Sequence, residues 1–325
     1  MKRYLFTSIL IISIATSLFG QKQHEGLVKV KGTRLTYPLV RKWIAEFNKD
    51  YPSIKVTIAQ QSPADSIDLN LAAYSIVDGD LAEPKEFVSI TRYVQLPVAN
   101  NKREGLAALQ AKGFTASDLN ALYFSSDKPN FLTASQSPIT LYTRERPACA
   151  AITFAKHYGN DPKSIQGVGV KGDDQDLAKA VKEDVNGISF NNLGFTYDVN
   201  TRKVTEGLAV IPLDLNENGH VDKDEQVYES LDELITFIEK TNHPKFVTEN
   251  VNAVFDKSKQ NDAAGIFLLW VLTKGQQYNH ALGFLGVEQN ILNTQRKKVS
   301  ANFKTSSASC TLTPTTATKR TKKSN

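Results

Sequence analysis

The chain has 325 residues, 41% hydrophobic and 22% charged, enough to bury the core of one large domain or two ordinary ones. Its formal charge of +5 comes from the ends: Lys2 and Arg3 at the start, and eight Lys and Arg from Arg296 onward with no acid among them, exceed the whole excess. The body between them is net acidic, which argues against a nucleic-acid groove, because such a groove needs clustered Lys and Arg to displace counterions.

The opening "MKRYLFTSILIISIATSLFG" has two basic residues, an apolar run from Leu5 to Leu18 and a small-residue exit near Gly20. That is the pattern of a cleavable signal peptide over residues 1–20, so a periplasmic or secreted location is expected. As a membrane span it is short, and no second apolar stretch of about 20 residues follows it. Export permits disulfides, yet the only cysteines are Cys149 and Cys310. Cys149 lies in an apolar helical pattern, so a buried free thiol is the first reading and a bridge to Cys310 the second. Residues 296–325 are basic and rich in Ser and Thr, and they read as a disordered tail.

Along the body, "LVKVKG" (Leu27–Gly32) alternates like a strand. "TYPLVRKWIAEFNKDYP" follows, with Leu39, Trp43, Ile44 and Phe47 at helical spacing, Pro38 in the first turn and Pro52 beyond the last. "SIKVTIAQ" and "SIDLNLAAYSI" read as strands, and this β-α-β-β opening predicts an α/β sheet with helices on its faces. Helical patterns recur at "TASDLNALYF", "AITFAKHYG", "DLAKAVKED", "ESLDELITFIEK" and "AAGIFLLWVLTKGQQYNHAL". Between them, "RYVQLPVAN", "SPITLYTR", "NGISFNNL" and "EGLAVIPLDL" read as strands. Trp43 and Trp270 sit on apolar helical faces and are expected in the core.

Catalytic patterns are missing. The five histidines are scattered, with no HExxH or Cys/His cluster, so a zinc site is unsupported. No GxSxG elbow anchors a hydrolase triad. "GVGVKG" (Gly167–Gly172) formally matches GxGxxG, but Asp173 and Asp174 follow at a helix start and would repel a pyrophosphate. It reads as a loop with chance glycines, and the chain is not expected to be an enzyme.

One motif is specific. From Asp214 the spacing delivers Asp214, Asn216, Asn218, Gly219, His220, Asp222 and Glu225 at positions 1, 3, 5, 6, 7, 9 and 12 of an EF-hand calcium loop, with His220 offering its carbonyl. The competing reading is a polar Asn-Gly turn between a strand and a helix. "EGLAVIPLD" enters as a strand with Pro212 in it, only the exit looks helical, and no partner loop exists. Two neutral amides among the ligands imply weak affinity, about 10⁻⁴–10⁻³ M. Calcium is expected as a structural clip, not a switch.

Five blocks, in order over residues 27–292, resemble phosphate-type solute-binding proteins of ABC importers. "VKGTRLTYPLVRKWIAEF" resembles their first strand–loop–helix and "GFTASDLNALYF" a short helix that follows. "YTRERPACAAITFAKHYG" resembles their Arg-xxx-Ser-Gly-Thr helix start and "AVKEDVNGISFNNLGF" their GxIGY strand. "FLLWVLTKGQQYNHALGFLGV" resembles the closing block. The resemblance implies an α/β, two-lobed periplasmic-binding-protein fold of type II, with the ligand cleft between lobes joined by crossover strands. Residues 21–97 and 246–295 would form lobe 1 and residues 98–245, including the loop 214–225, lobe 2.

It further implies an anion, phosphate or a relative, gripped by Gly32, Thr33, Arg34, Arg144, Ala148, Cys149 and Ala150, hinge closure, and an ABC permease as partner to a monomer. The family's Ser-Gly-Thr falls on Ala148, Cys149 and Ala150, so both hydroxyls are gone, and the usual acid falls near Ala73 or Tyr74. Buried polar groups left unpaired cost about 1–3 kcal/mol each, so phosphate itself is in question. Arg34 would then recruit a larger or more acidic anion. Arg144 has a plainer reading as a surface residue paired with Glu145, and Thr33 one as a helix cap. The rival function is a non-transport sensor or surface interaction protein with a degenerate anion site.

Overall fold

The computed structural model describes residues 24–126, 128–129, 138–146 and 148–305. The signal peptide expected over residues 1–20 and Cys310 lie outside those residues. β1 (Gly26–Gly32) alternates as its sequence suggests, burying Val28 and Val30. α1 (Tyr37–Asp50) buries Leu39, Val40, Trp43 and Phe47, a single face at three- and four-residue spacing. β2 (Ile54–Ile58), β3 (Leu69–Ala72) and the sixteen-residue β4 (Lys85–Asn100) follow.

The middle of the chain runs α2 (Leu106–Lys112), α3 (Ala116–Phe124), β5 (Thr140–Arg144), α4 (Cys149–His157), β6 (Val168–Val170), α5 (Asp174–Glu183) and β7 (Gly187–Asn192). After it come α6 (Leu193–Thr196), β8 (Leu208–Val210), α7 (Leu231–Thr241), β9 (Val247–Asp256), α8 (Asp262–Val271) and α9 (Gln289–Asn302). Capping boxes start α3 (Thr115 with Asp118) and α5 (Asp173 with Asp176), satisfying backbone N–H groups that a helix start leaves open.

The strands form one sheet in the order β2-β1-β3-β9-β4-β7-β5-β6, with β8 also paired to β4. β1 is parallel to β2 and β3, and β5 is parallel to β6 and β7. These parallel halves are joined by β4 and β9, antiparallel to each other. Both strands change core along their length. Val88, Ile90 and Tyr93 of β4 and Val251, Ala253 and Phe255 of β9 pack with Leu39, Trp43 and Phe47. Val94, Leu96 and Ala99 of β4 and Val247 of β9 pack with Phe154, Phe190 and Leu234. Two lobes, two cores and two crossover strands result.

At the changeover the side chains turn polar and buried. Tyr93 donates its hydroxyl to the Ala73 carbonyl at 2.9 Å, and Gln95 donates Nε2 to the Ala150 carbonyl at 3.0 Å. A third link lies beside them: Phe284 belongs to one core and Leu285 to the other, and Leu285 exchanges both backbone hydrogen bonds with Arg92.

Several elements differ from the sequence reading. The helix expected over residues 263–282 ends at Val271 and continues as 3₁₀ turns, Lys274–Tyr278 and His280–Leu282. Packing sets the break: Gly275 lies between Trp43 and Trp270, where an added Cβ would come within 3.3 Å of both rings, and its carbonyl accepts from Trp43 Nε1 at 2.9 Å. Both tryptophans are core residues.

Residues 296–302, expected within a tail, are helical. α9 runs through Arg296, Lys297 and Lys298 to Asn302, and Phe303 is buried against Phe255 and the backbone of Gly265. A basic composition hid the spacing of Leu292, Gln295 and Val299, which α9 buries. Residues 306–325 lie outside the described structure. No helix among the described residues is long and apolar enough to cross a membrane.

Candidate functional site

β1 ends at Gly32, whose φ of +127° and lack of a Cβ let it lie against β3; a Cβ there would sit 2.1 Å from the Leu71 carbonyl oxygen. Thr33 then donates its N–H to that carbonyl at 2.9 Å, and a 3₁₀ turn, Arg34–Thr36, leads into α1. Thr33 makes no side-chain cap, so the capping reading of its hydroxyl does not hold. On the other lobe β5 ends at Arg144, and α4 starts after Ala148, which has no side chain to cap it. The first backbone N–H groups of α4 therefore have no capping partner from Ala148, and the positive end of the helix faces the cleft.

All seven residues expected at the anion site, Gly32, Thr33, Arg34, Arg144, Ala148, Cys149 and Ala150, border one cavity of about 450 Å³ between the lobes. Arg34 reaches across it from lobe 1: Nη2 donates to the Gly172 carbonyl at 2.7 Å, and Nη1 lies 3.6 Å from Asp173 Oδ2. Arg144, from lobe 2, donates Nη2 to the same Gly172 carbonyl. Its Nη1 is buried with no hydrogen-bond partner. Arg144 is thus a cleft residue and not a surface partner of Glu145. Cys149 is half-buried on the same wall, not fully buried as expected.

The sequence reading missed the acids here. Asp173 and Asp174, expected to repel a pyrophosphate after a chance glycine loop, also line the cavity, with Asn70 and Tyr74 opposite. Asp173 caps α5, and Asp174 is 6% exposed. Burial raises the Asp174 carboxyl above its ordinary range, against the pull of Arg144. A signal was present: β5–α4 and β6–α5 are parallel neighbours, so both helix starts fall at the same end of the sheet, where α/β proteins bind ligands. The acid that the resemblance placed near Ala73 or Tyr74 is absent there. Ala73 instead holds the crossover, its carbonyl accepting from Tyr93 and, at 3.2 Å, from Thr153 Oγ1.

The loop 214–225 is a separate construction. Asp214 is fully buried and accepts from the N–H groups of Asn218 (3.2 Å) and Gly219 (2.8 Å). Glu225 accepts from Leu215, Asn216 and Asp222 N–H groups at 2.9, 3.1 and 2.9 Å. Asp222 Oδ2 takes the amides of Asn216 (2.7 Å) and Asn218 (2.8 Å), while its Oδ1 is 2.8 Å from His220 Nε2. Gly219 makes the sharp turn at φ +95°. Among the described residues no three His, Cys, Asp or Glu side chains gather as around a metal. A cation here would rely on amide and carbonyl oxygens as well as Asp214, Asp222 and Glu225. The helical exit is a single 3₁₀ turn, Lys223–Glu225, separated from α7.

Two lobes on crossover strands with a polar cleft between them define the two-lobed periplasmic-binding-protein fold. No family model matches the chain, and no curated protein matches it. Solved structures do. A phosphate ABC transporter substrate-binding protein from Clostridium perfringens, with phosphate bound, is similar at a TM-score of 0.62 and 13% identity, covering 81% of this chain and all of that one. An ABC-type phosphate transport receptor from Vibrio cholerae is similar at 0.56 and 10% identity, covering 80% of this chain and 100% of its own. PstS from Borrelia burgdorferi matches at 0.50 and 11% identity, covering 82% and 100%.

Proposed function

We propose that this protein is an exported, non-enzymatic solute-binding protein that captures phosphate or a related oxyanion between its lobes and delivers it to an ABC permease. One observation carries the reading: arginines from two lobes converge on one point of the cleft beside the uncapped start of α4. Guanidinium forks and helix N-termini are both built for oxyanions. The lobes, assigned as residues 21–97 with 246–295 and residues 98–245, would close on the ligand about β4 and β9 and exclude water from it. The test is the melting temperature of the ligand-stripped protein with phosphate, sulfate and organic phosphates in turn. A ligand that binds only the folded state raises it once well above its dissociation constant. No shift with any anion overturns the reading.

The rival, a non-transport sensor or surface module, draws on one observation: Ala148, Cys149 and Ala150 supply no hydroxyl to the cleft. We also propose that the loop 214–225 binds calcium as a structural clip, through the Asp214, Asn216, Asn218, Asp222 and Glu225 side chains and the His220 carbonyl. The spacing of these groups supports it.

A further inference from the structure

The cleft contains acids that capture of a bare anion does not use. Asp174 is 6% exposed, lines the cavity and forms no ion pair with any described residue. Asp173 beside it faces Arg34. The cavity lining thus carries two carboxylates beside its two arginines.

Charge and size point the same way. Arg34 and Arg144 are balanced within the cavity lining by Asp173 and Asp174, so a dianion alone would leave excess negative charge beside a buried carboxylate. A buried charge without a counter-charge is strongly unfavourable. Leu35, Leu71 and Ile152 give the cavity apolar wall, and about 450 Å³ falls within the range of pockets that take organic ligands. Building on the solute-binding reading, we propose that the cleft selects a small organic zwitterion: a phosphonate- or phosphate-type head on Arg34, Arg144 and the start of α4, and an ammonium group on Asp174. Asp174 follows Gly172, where both arginines meet, by two residues, so the two groups are joined by a short linker.

The test compares inorganic phosphate, ethylphosphonate and aminoethylphosphonate by titration calorimetry on the ligand-stripped protein, parent beside Asp174→Asn. The amine should tighten binding at least about tenfold over ethylphosphonate in the parent. In Asp174→Asn that preference should fall towards unity, and ethylphosphonate should bind more tightly than in the parent because a repelling carboxylate is gone. Equal affinity for the two phosphonates in the parent, or binding of phosphate alone, overturns the zwitterion assignment and leaves solute binding standing. A preference that survives in Asp174→Asn overturns the role of Asp174. Binding of none of the three overturns the zwitterion assignment, and the solute-binding reading falls with it only where sulfate and organic phosphates also fail to bind. The parent comparison stands by itself if the variant fails to fold.

Discussion

Arg34 and Arg144 stand on opposite lobes and donate to one oxygen, the carbonyl of Gly172. A carbonyl already marks the point where two guanidinium groups meet, so an incoming oxyanion has only to replace or join it. The arginines differ in exposure. The Arg34 side chain is 48% exposed, whereas Arg144 has a buried, unpartnered Nη1. Truncating a desolvated charged contact costs about 2–5 kcal/mol, so Arg144→Ala should weaken anion binding about thirtyfold or more. Arg34→Ala should weaken it less than about tenfold, with an effect that shrinks as salt rises. Calorimetry of both variants at low and high salt checks the order; equal losses contradict it.

Calcium at millimolar concentration should raise the melting temperature of the parent, and chelator should reverse the rise. Asp214→Ala with Glu225→Ala should lose the response, but both carboxylates also hold backbone N–H groups, so the baseline will fall. Asn218→Ala, at an exposed position, should weaken the response with little change in the calcium-free melting temperature. An undiminished response in both variants would place the ion elsewhere.

His280 Nε2 lies 3.0 Å from Glu239 Oε1, which also accepts from the Gly286 N–H at 2.7 Å, pinning α7 to the segment that links the cores. The hydrogen bond to Glu239 raises the His280 pKa, with Arg202, Asp232 and Arg92 also close to the pair. A folded pKa above the unfolded value of about 6.5 adds stability that is present in full below that value and lost as pH rises through the folded one. His280→Gln should therefore lower the melting temperature more near pH 6 than near pH 8. A pH-independent difference would mean that the pair contributes packing alone.

Phe303 is 7% exposed, with its ring centroid 4.9 Å from that of Phe255. Phe303→Ala should destabilise the fold by about 3 kcal/mol, read by urea unfolding. A loss under about 0.5 kcal/mol would mean that the chain beyond α9 is dispensable to the core.

The β-α-β-β opening and the helices with a single apolar face were legible because each is written in local periodicity, whereas the residues proposed for the anion came from the resemblance and are brought to one cavity by the fold. The break after Val271 was not legible, since two tryptophans distant in sequence from each other set it by packing on Gly275. Nor was α9, whose buried Leu292, Gln295 and Val299 are masked by Arg296, Lys297 and Lys298 between them. Asp173 and Asp174 were visible as a helix start but were judged against a nucleotide, and only the parallel placement of β5 and β6 brings them to the arginines.

Titrating the ligand-stripped protein with phosphate and organic phosphates, parent beside Arg144→Ala, bears most directly on the central claim that the cleft holds an oxyanion. The account requires saturable binding of one anion per chain in the parent and its loss in the variant; no binding to the parent, or the same binding to both, contradicts it.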